Sequence, residues 1–271
     1  MLTIYNIPLQ SVFKNTIFRL YNKSMKVTFL GTNGWYDTPT GNTICILVES
    51  GGYNIILDAG NGLYKVDQYI KENTATYIFL SHFHLDHIAG LHILGKFDFT
   101  NGLHICGQSG TREIMDKFIN FPFTMPLNRL RYKTEIHELP ADANKLPFRV
   151  EFLPMLHSSP TLGYRFELDG KVLSYCPDTG YCENAVNLSR GADLVITECA
   201  YKSGQYCEDW PHLNPESAAR IALESEAKRL ALVHFDAALY KTIEDRKIAE
   251  SAAKKIFSNT FCALDDMQIE V

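Results

Sequence analysis

The stretch Ser81-His82-Phe83-His84-Leu85-Asp86-His87 constrains this chain more than any other. It follows the apolar run Tyr77-Ile78-Phe79-Leu80, where a buried strand should leave a sheet. Three imidazoles and a carboxylate crowded into six residues are poor core material and cost free energy unless something binds them. The first two histidines are one residue apart and the last two potential ligands are adjacent, so one short loop can serve two metal ions. The rest of the chain must then fold so as to deliver the missing ligands to the same place.

Hydrophobic patterning says where they come from. Alternating or continuous apolar runs predict strands at 27–31, 43–49, 53–58, 75–80, 103–106, 134–139, 148–155, 163–168, 172–175, 193–197, 230–233 and 261–264. Helical spacing is expected from Leu63 to about Glu72, from Ile88 to Leu94, and over 111–120, 183–189, 215–228 and 241–257. Asn214-Pro215 reads as a cap followed by a first-turn proline, and Asp169-Gly170 as a hairpin turn. The four candidates His157, Asp178, Glu198 and His234 each fall at the carboxyl end of a predicted strand, the rim where sites assemble on rigid scaffolds. His92, His104 and His137 have no such partner pattern and receive no role. Two successive halves of strands followed by helices predict an α/β fold: a four-layer αββα sandwich with two mixed sheets and helices outside.

With 271 residues and 46% hydrophobic side chains, there is material for a sizeable core. Residues 25–271 read as one domain. Residues 1–24 read as an N-terminal extension, either native or the product of an upstream start, because Met25 directly precedes the first core strand. A formal net charge of -5 gives no blanket attraction to nucleic acid or to an anionic membrane. No apolar stretch reaches the length of a membrane span. Seven cysteines with no C-x-x-C pair suggest reduced, buried thiols and a cytoplasmic location rather than a disulfide framework.

The ordered set resembles the metallo-β-lactamase-fold hydrolases, within them the tRNA 3′-endonuclease (RNase Z) type phosphodiesterases. The resemblance rests on Gly31-Thr32-Asn33-Gly34, Asp58-Ala59-Gly60, H-x-H-x-D-H at His82–His87, His157, Asp178, Glu198-Cys199-Ala200, His212 and Leu232-Val233-His234-Phe235. It implies a two-metal site, with His82, His84 and His157 on one ion, Asp86, His87 and His234 on the other, and Asp178 bridging. Such a donor set suits zinc, with manganese an option at the more oxygen-rich position. The resemblance further implies that the two cations share a hydroxide that attacks phosphorus. Asp86 would then orient or deprotonate the nucleophile, and His212 would stabilise the transition state or protonate the leaving group. Glu198 has two readings, local capping or orientation of His212. Asp58 likewise reads either as a turn residue or as the acceptor for a ligand histidine's free N–H.

Departures from the tRNA-processing pattern narrow the substrate. The family's Gly-Glu-Gly-Thr-Gln stretch is replaced by Gly60-Asn61-Gly62-Leu63-Tyr64, its Arg-Asn pair by Thr40-Gly41-Asn42, and the histidine before the glutamate by Thr197. Only 20 residues separate His157 from Asp178, filled by a tight hairpin, which leaves no room for a tRNA-gripping arm. That spacing is similar to compact members such as the cyclic phosphodiesterase of phosphonate breakdown. The alternating Arg129, Arg131 and Lys133 read as an exposed basic face or as phosphate contacts. The expectation is a metal-dependent hydrolase of a small, cyclic or nucleotide-like phosphodiester, without a membrane partner and possible as a homodimer from the resemblance. The alternatives are a lactone or thioester hydrolase, a tRNA 3′-processing endonuclease (nucleic acid as partner), and a metal-containing binding protein without turnover.

Overall fold

Apolar side chains alternate along the strands so that each sheet buries both faces. Ile46, Val48, Ile55 and Leu57 point into a central cluster with Tyr164, Phe166, Leu173, Leu194, Ile196 and Val233. Their chain neighbours Cys45, Leu47 and Ile56 point the other way, toward Leu63, Val66 and Leu91. In the second half Val195, Leu230 and Leu232 face outward onto Ala218, Ala219, Ile221 and Ala249. A strand buried on both faces cannot serve as a surface strand, and only a layered arrangement satisfies it. Each large aliphatic side chain so buried contributes roughly 1.5–3 kcal/mol.

The computed structural model describes residues 24–70 and 74–271. Nearly all of the expected N-terminal extension and the end of the helix expected from Leu63 lie outside the described residues. Along the chain the strands are β1 (Lys26–Gly31), β2 (Asn33–Gly34), β3 (Cys45–Ser50), β4 (Tyr53–Leu57), β5 (Ala75–Phe79), β6 (Leu103–Gln108) and β7 (Thr134–Leu139). They continue as β8 (Val150–Pro154), β9 (Leu162–Leu168), β10 (Lys171–Cys176), β11 (Leu194–Glu198), β12 (Leu230–Val233), β13 (Phe235–Asp236), β14 (Thr260–Cys262) and β15 (Gln268–Glu270). The α-helices are α1 (Leu85–Ile88), α2 (Thr111–Phe118), α3 (Glu183–Leu188), α4 (Pro215–Glu224) and α5 (Ile243–Lys254). One sheet runs β15-β1-β3-β4-β5-β6-β7 and the other β14-β12-β11-β10-β9-β8, and β2 and β13 pair with each other. Both sheets are mixed: β4 to β7 are parallel beside antiparallel β1, β3 and β15, and β10, β11, β12 and β14 are parallel beside antiparallel β8 and β9. The predicted αββα sandwich is the observed architecture.

The cap read at Asn214 is present, and a second, which the sequence reading did not name, opens α5. Asn214 accepts from the Ser217 amide ahead of Pro215, and Thr242 forms the same reciprocal box with Asp245 at the start of α5. The differences have local causes. α4 stops at Glu224 rather than 228, because Glu226 takes a positive φ of 55° that no helix continues. The helix expected from Leu63 is a 3₁₀ segment over Asn61–Gln68, and a second, Ala89–Lys96, follows α1. These two segments pack so tightly that a Cβ on Gly90 would lie 2.1 Å from the Gly60 carbonyl oxygen. The short pair β2–β13 and the edge strand β15 were not expected, since neither offers an apolar run to announce it.

Candidate metal centre

The rim begins where β5 ends. Phe79 is the last residue of the strand, and the chain then turns through Ser81 and buried His82 into α1, which carries Asp86 and His87. From the second sheet come His157 after β8, Asp178 after β10, Glu198 as the last residue of β11, and His234 directly after β12. His234 sits at φ 52°, a backbone excursion that turns its ring inward. Gly34 of β2 lies under that ring: a Cβ there would come within 2.5 Å of His234 Cε1, so only glycine fits.

All seven predicted ligands converge, in two groups that meet at one carboxylate. His82, His84, His157 and Asp178 form one group and Asp86, His87 and His234 the other, with the ligand atoms of each within 4.8 Å of one another. Asp178 Oδ2 is 3.9 Å from His82 Nε2 and 3.7 Å from His157 Nε2. Its other oxygen, Oδ1, is 3.2 Å from both His87 Nε2 and His234 Nε2. His234 Nε2 is also 3.2 Å from Asp86 Oδ2, and His157 Nε2 is 3.4 Å from His84 Nδ1. The buried atoms His82 Nε2 and Asp178 Oδ1 have no hydrogen-bond partner. Orphaned lone pairs at the meeting point of imidazoles and carboxylates are what a divalent cation satisfies, so the residues present fit metal ions.

Asp58 orients this loop from behind. Its Oδ1 accepts from the Ser81 amide at 2.7 Å, and its Oδ2 accepts from Ser81 Oγ at 2.8 Å and from the Tyr175 hydroxyl at 2.6 Å. His87 Nδ1 lies 2.8 Å from the same Oδ2. A carboxylate can only accept, so His87 carries a proton on Nδ1, and Nε2 is the atom left to face Asp178 and a metal. Ser81 Oγ, having donated to Asp58, is free to accept from His82 Nδ1 at 3.0 Å, which exposes His82 Nε2 in the same way.

The electrostatics follow from burial and company. Burial raises the Asp178 acid pKa, but the imidazoles of His234 and His87 outweigh it and hold the carboxyl well below its usual range. Burial pushes His157 down to about 4, and lowers His84 and His82, so these imidazoles are neutral and able to ligate. His212 goes the other way. Burial lowers it, yet the Glu198 carboxylate, whose Oε1 lies 2.6 Å from His212 Nδ1, brings it up to about 9. Glu198 is itself fixed by the amides of Thr179 and Ala200, at 2.7 and 3.0 Å. It thus both organises the rim backbone and holds His212.

A cavity of about 590 Å³ opens onto this centre, lined by His84, Asp86, Asp178, His212 and His234. Trp35, Leu85 and Trp210 also line it, and among the described lining residues there is no Lys or Arg. Trp210 stacks on the His84 ring at 5.7 Å and 11°, while the Trp35 amide donates to Asp86 Oδ2 at 2.7 Å. Sequence reasoning missed both tryptophans, and also Ser81 and Tyr175. Trp210 lies two residues before His212, the one signal that could have found it. Arg129, Arg131 and Lys133 lie away from this cavity, and His92 turns its ring to the Ala89 carbonyl oxygen.

Comparison with known proteins places the chain. A family model described as the beta-lactamase superfamily domain matches residues 53–235. The chain is 29% identical to the probable metallo-hydrolase YhfI of Bacillus subtilis, over 78% of this chain and 87% of that protein. It is 25% identical to a ribonuclease Z of Methanosarcina acetivorans, over 91% and 98%. The crystal structure of YhfI superposes with a TM-score of 0.76 at 26% identity, covering 92% of this chain and 100% of that one. A diphosphatase from the PhnP family shares the fold alone, at 17% identity, a TM-score of 0.69 and coverage of 92% and 97%. No helix among the described residues is long and apolar enough to cross a membrane. The chain belongs to the beta-lactamase superfamily, as a metal-dependent hydrolase of the metallo-β-lactamase fold.

Proposed function

We propose that this hydrolase is a dinuclear phosphodiesterase acting on a small, nucleotide-like phosphodiester. The observation that carries the reading is Asp178, whose two oxygens divide between two groups of ligands. His82, His84 and His157 would hold one ion with Asp178 Oδ2, and Asp86, His87 and His234 the other with Oδ1. The imidazole-rich donor set suits Zn²⁺, with Mn²⁺ acceptable at the position that Asp86 makes richer in oxygen. When bound, two such cations supply Lewis acidity and a hydroxide nucleophile near neutral pH.

The chain's own groups do the rest. Asp86, fixed by the Trp35 amide, accepts or orients the proton of the attacking water. His212 stands protonated beside the cavity and offers its proton to the leaving oxygen, with Glu198 steadying the imidazolium. Trp35 and Trp210 line the cavity and suit a planar base. A cavity with no Lys or Arg among its described lining residues supports a substrate with one phosphate over a polyanionic strand, which needs several basic contacts.

A tRNA 3′-processing role is the second reading, favoured by the relatives named ribonuclease Z. It is weakened by the stretch between His157 and Asp178, which the β9–β10 hairpin takes up with no room for an arm. Zinc-loaded protein assayed on bis-p-nitrophenyl phosphate, cyclic nucleotides, a lactone panel and a 3′-extended precursor tRNA separates the readings. Turnover of the diesters, lost together with bound metal in Asp178→Ala, is expected. Activity surviving in Asp178→Ala, or confined to lactones or to the tRNA, rules the proposal out.

A further inference from the structure

A second cluster of metal-ligating side chains lies outside this centre. In the parallel pair β6–β7, His104 stands opposite Glu135, and His137 follows Glu135 two residues on. Strand period places Glu135 and His137 on one face, and the register sets His104 beside both. His104 and Glu135 are each the second residue of their strand, so the cluster sits at the end of the sheet opposite the carboxyl-end rim. The strand β7 is the open edge of the seven-stranded sheet.

The geometry points to a separate divalent-cation site at His104, Glu135 and His137, of a kind suited to Zn²⁺. His104 Nδ1 lies 3.0 Å from His137 Nε2, and each of these nitrogens is 3.9 Å from the same oxygen, Glu135 Oε2. In a triangle with those sides, the in-plane point equidistant from the three atoms is about 2.1 Å from each, the length of a zinc–nitrogen or zinc–oxygen bond, and tetrahedral ligation asks each separation to change by about half an ångström. Two imidazoles and a carboxylate are a borderline-soft donor set that prefers Zn²⁺ to Mg²⁺ or Ca²⁺. The position is preorganised: Tyr77 stacks on the His104 ring at 4.4 Å and 9°, and His137 is buried. Cavities open on both sides, one lined by His104 and Glu135 and the other by Glu135 and His137, which leaves room for a water as fourth ligand.

What competes is weak: the His104–His137 contact is itself a hydrogen bond between the rings, of about 0.5–1.5 kcal/mol, that the ion would replace. Glu135 also pairs with Lys133, but the Lys133 side chain is 79% exposed, and an ion pair of that kind contributes about 0–1 kcal/mol. The cost of parting it is small beside ligation by three groups. An ion here would clip the edge strand β7 to its one neighbour, β6.

The test begins with protein whose main centre is already filled with zinc. Titration calorimetry with Zn²⁺ is expected to show one further ion per chain, bound more weakly than at the main centre, and a rise in the thermal midpoint. His104→Gln, His137→Gln and Glu135→Gln should each lose that step while diester hydrolysis stays as in the parent. Failure of the parent protein to take up a further ion overturns the inference, without reference to any variant. So does unchanged uptake by a folded His104→Gln/His137→Gln double variant.

Discussion

Asp58→Asn is the most informative single substitution, because it keeps shape while removing the charge and exchanging one acceptor oxygen for an N–H₂ donor. Asp58 sits at φ 55°, which asparagine tolerates as well as aspartate, so no backbone strain is introduced. Its Oδ2 serves three donors and its Oδ1 one. An amide offers a single oxygen. With that oxygen at the Oδ2 position, the Ser81 amide faces an N–H₂ group. With it at Oδ1, the Ser81 and Tyr175 hydroxyls can rotate, but His87 Nδ1–H cannot. His87 must then move its proton to Nε2, the atom that faces Asp178. One buried donor stranded in this way costs about 1–3 kcal/mol. In a domain of this size that lowers the melting temperature by about 2–12 °C. Loss of the group that orients a ligand histidine should weaken metal binding by about 10–100-fold. Zinc competition against a chromophoric chelator, with melting of the metal-stripped protein by circular dichroism, reads both effects. Parental metal affinity in a folded Asp58→Asn protein would refute the orientation argument.

Other substitutions probe separate parts. His212→Ala should lower kcat about 10²–10⁴-fold with metal content unchanged, as read by steady-state kinetics beside metal analysis; an unchanged kcat removes the residue from the chemistry. Gly34→Ala puts a Cβ against His234 Cε1 and should cost about 1–3 kcal/mol and part of the bound metal, and full metal retention would speak against it. Arg246, fully buried, donates to Thr32 Oγ1 and Asn33 Oδ1 and stacks over Phe235. Arg246→Met should therefore destabilise by about 2–5 kcal/mol in urea unfolding, and a parental midpoint would contradict this.

What the sequence discloses depends on the range of the interaction. His82 to His87 announce themselves because four ligands share six residues. His157, Asp178 and His234 can be found because each ends an apolar run, and a strand end fixes where a side chain emerges. Asp58 and Glu198 show two readings in sequence because capping and orienting use the same carboxylate. Only coordinates show Asp58 meeting His87 across 29 positions and Glu198 meeting His212 across 14. Tyr175 and Trp210 stay hidden for a different reason: one reads as an ordinary core aromatic, the other as a loop residue. His104 and His137 show no motif because their proximity is made by strand register, which no periodicity in one segment encodes.

The division of ligands between the halves of the chain ties metal binding to folding. His82, His84, Asp86 and His87 belong to the first sheet's connections, and His157, Asp178 and His234 to the second's. Neither sheet alone gathers a complete set, so metal would bind tightly only where the two sheets are already packed together. Binding to the native state alone stabilises it by an amount set by ligand excess, about 4.1 kcal/mol per site at a thousandfold excess over Kd. Stripping the protein with a chelator should therefore lower its melting temperature by about 8–16 °C per site so loaded. The loss should concentrate at the rim, with faster amide exchange at Ser81–Ile88 and around Asp178 than in the inter-sheet core near Phe166 and Ile196. Uniform acceleration across both sheets would mean that the metals hold up the whole fold, and no acceleration at the rim would mean that the loops are held by Asp58 and Glu198 alone.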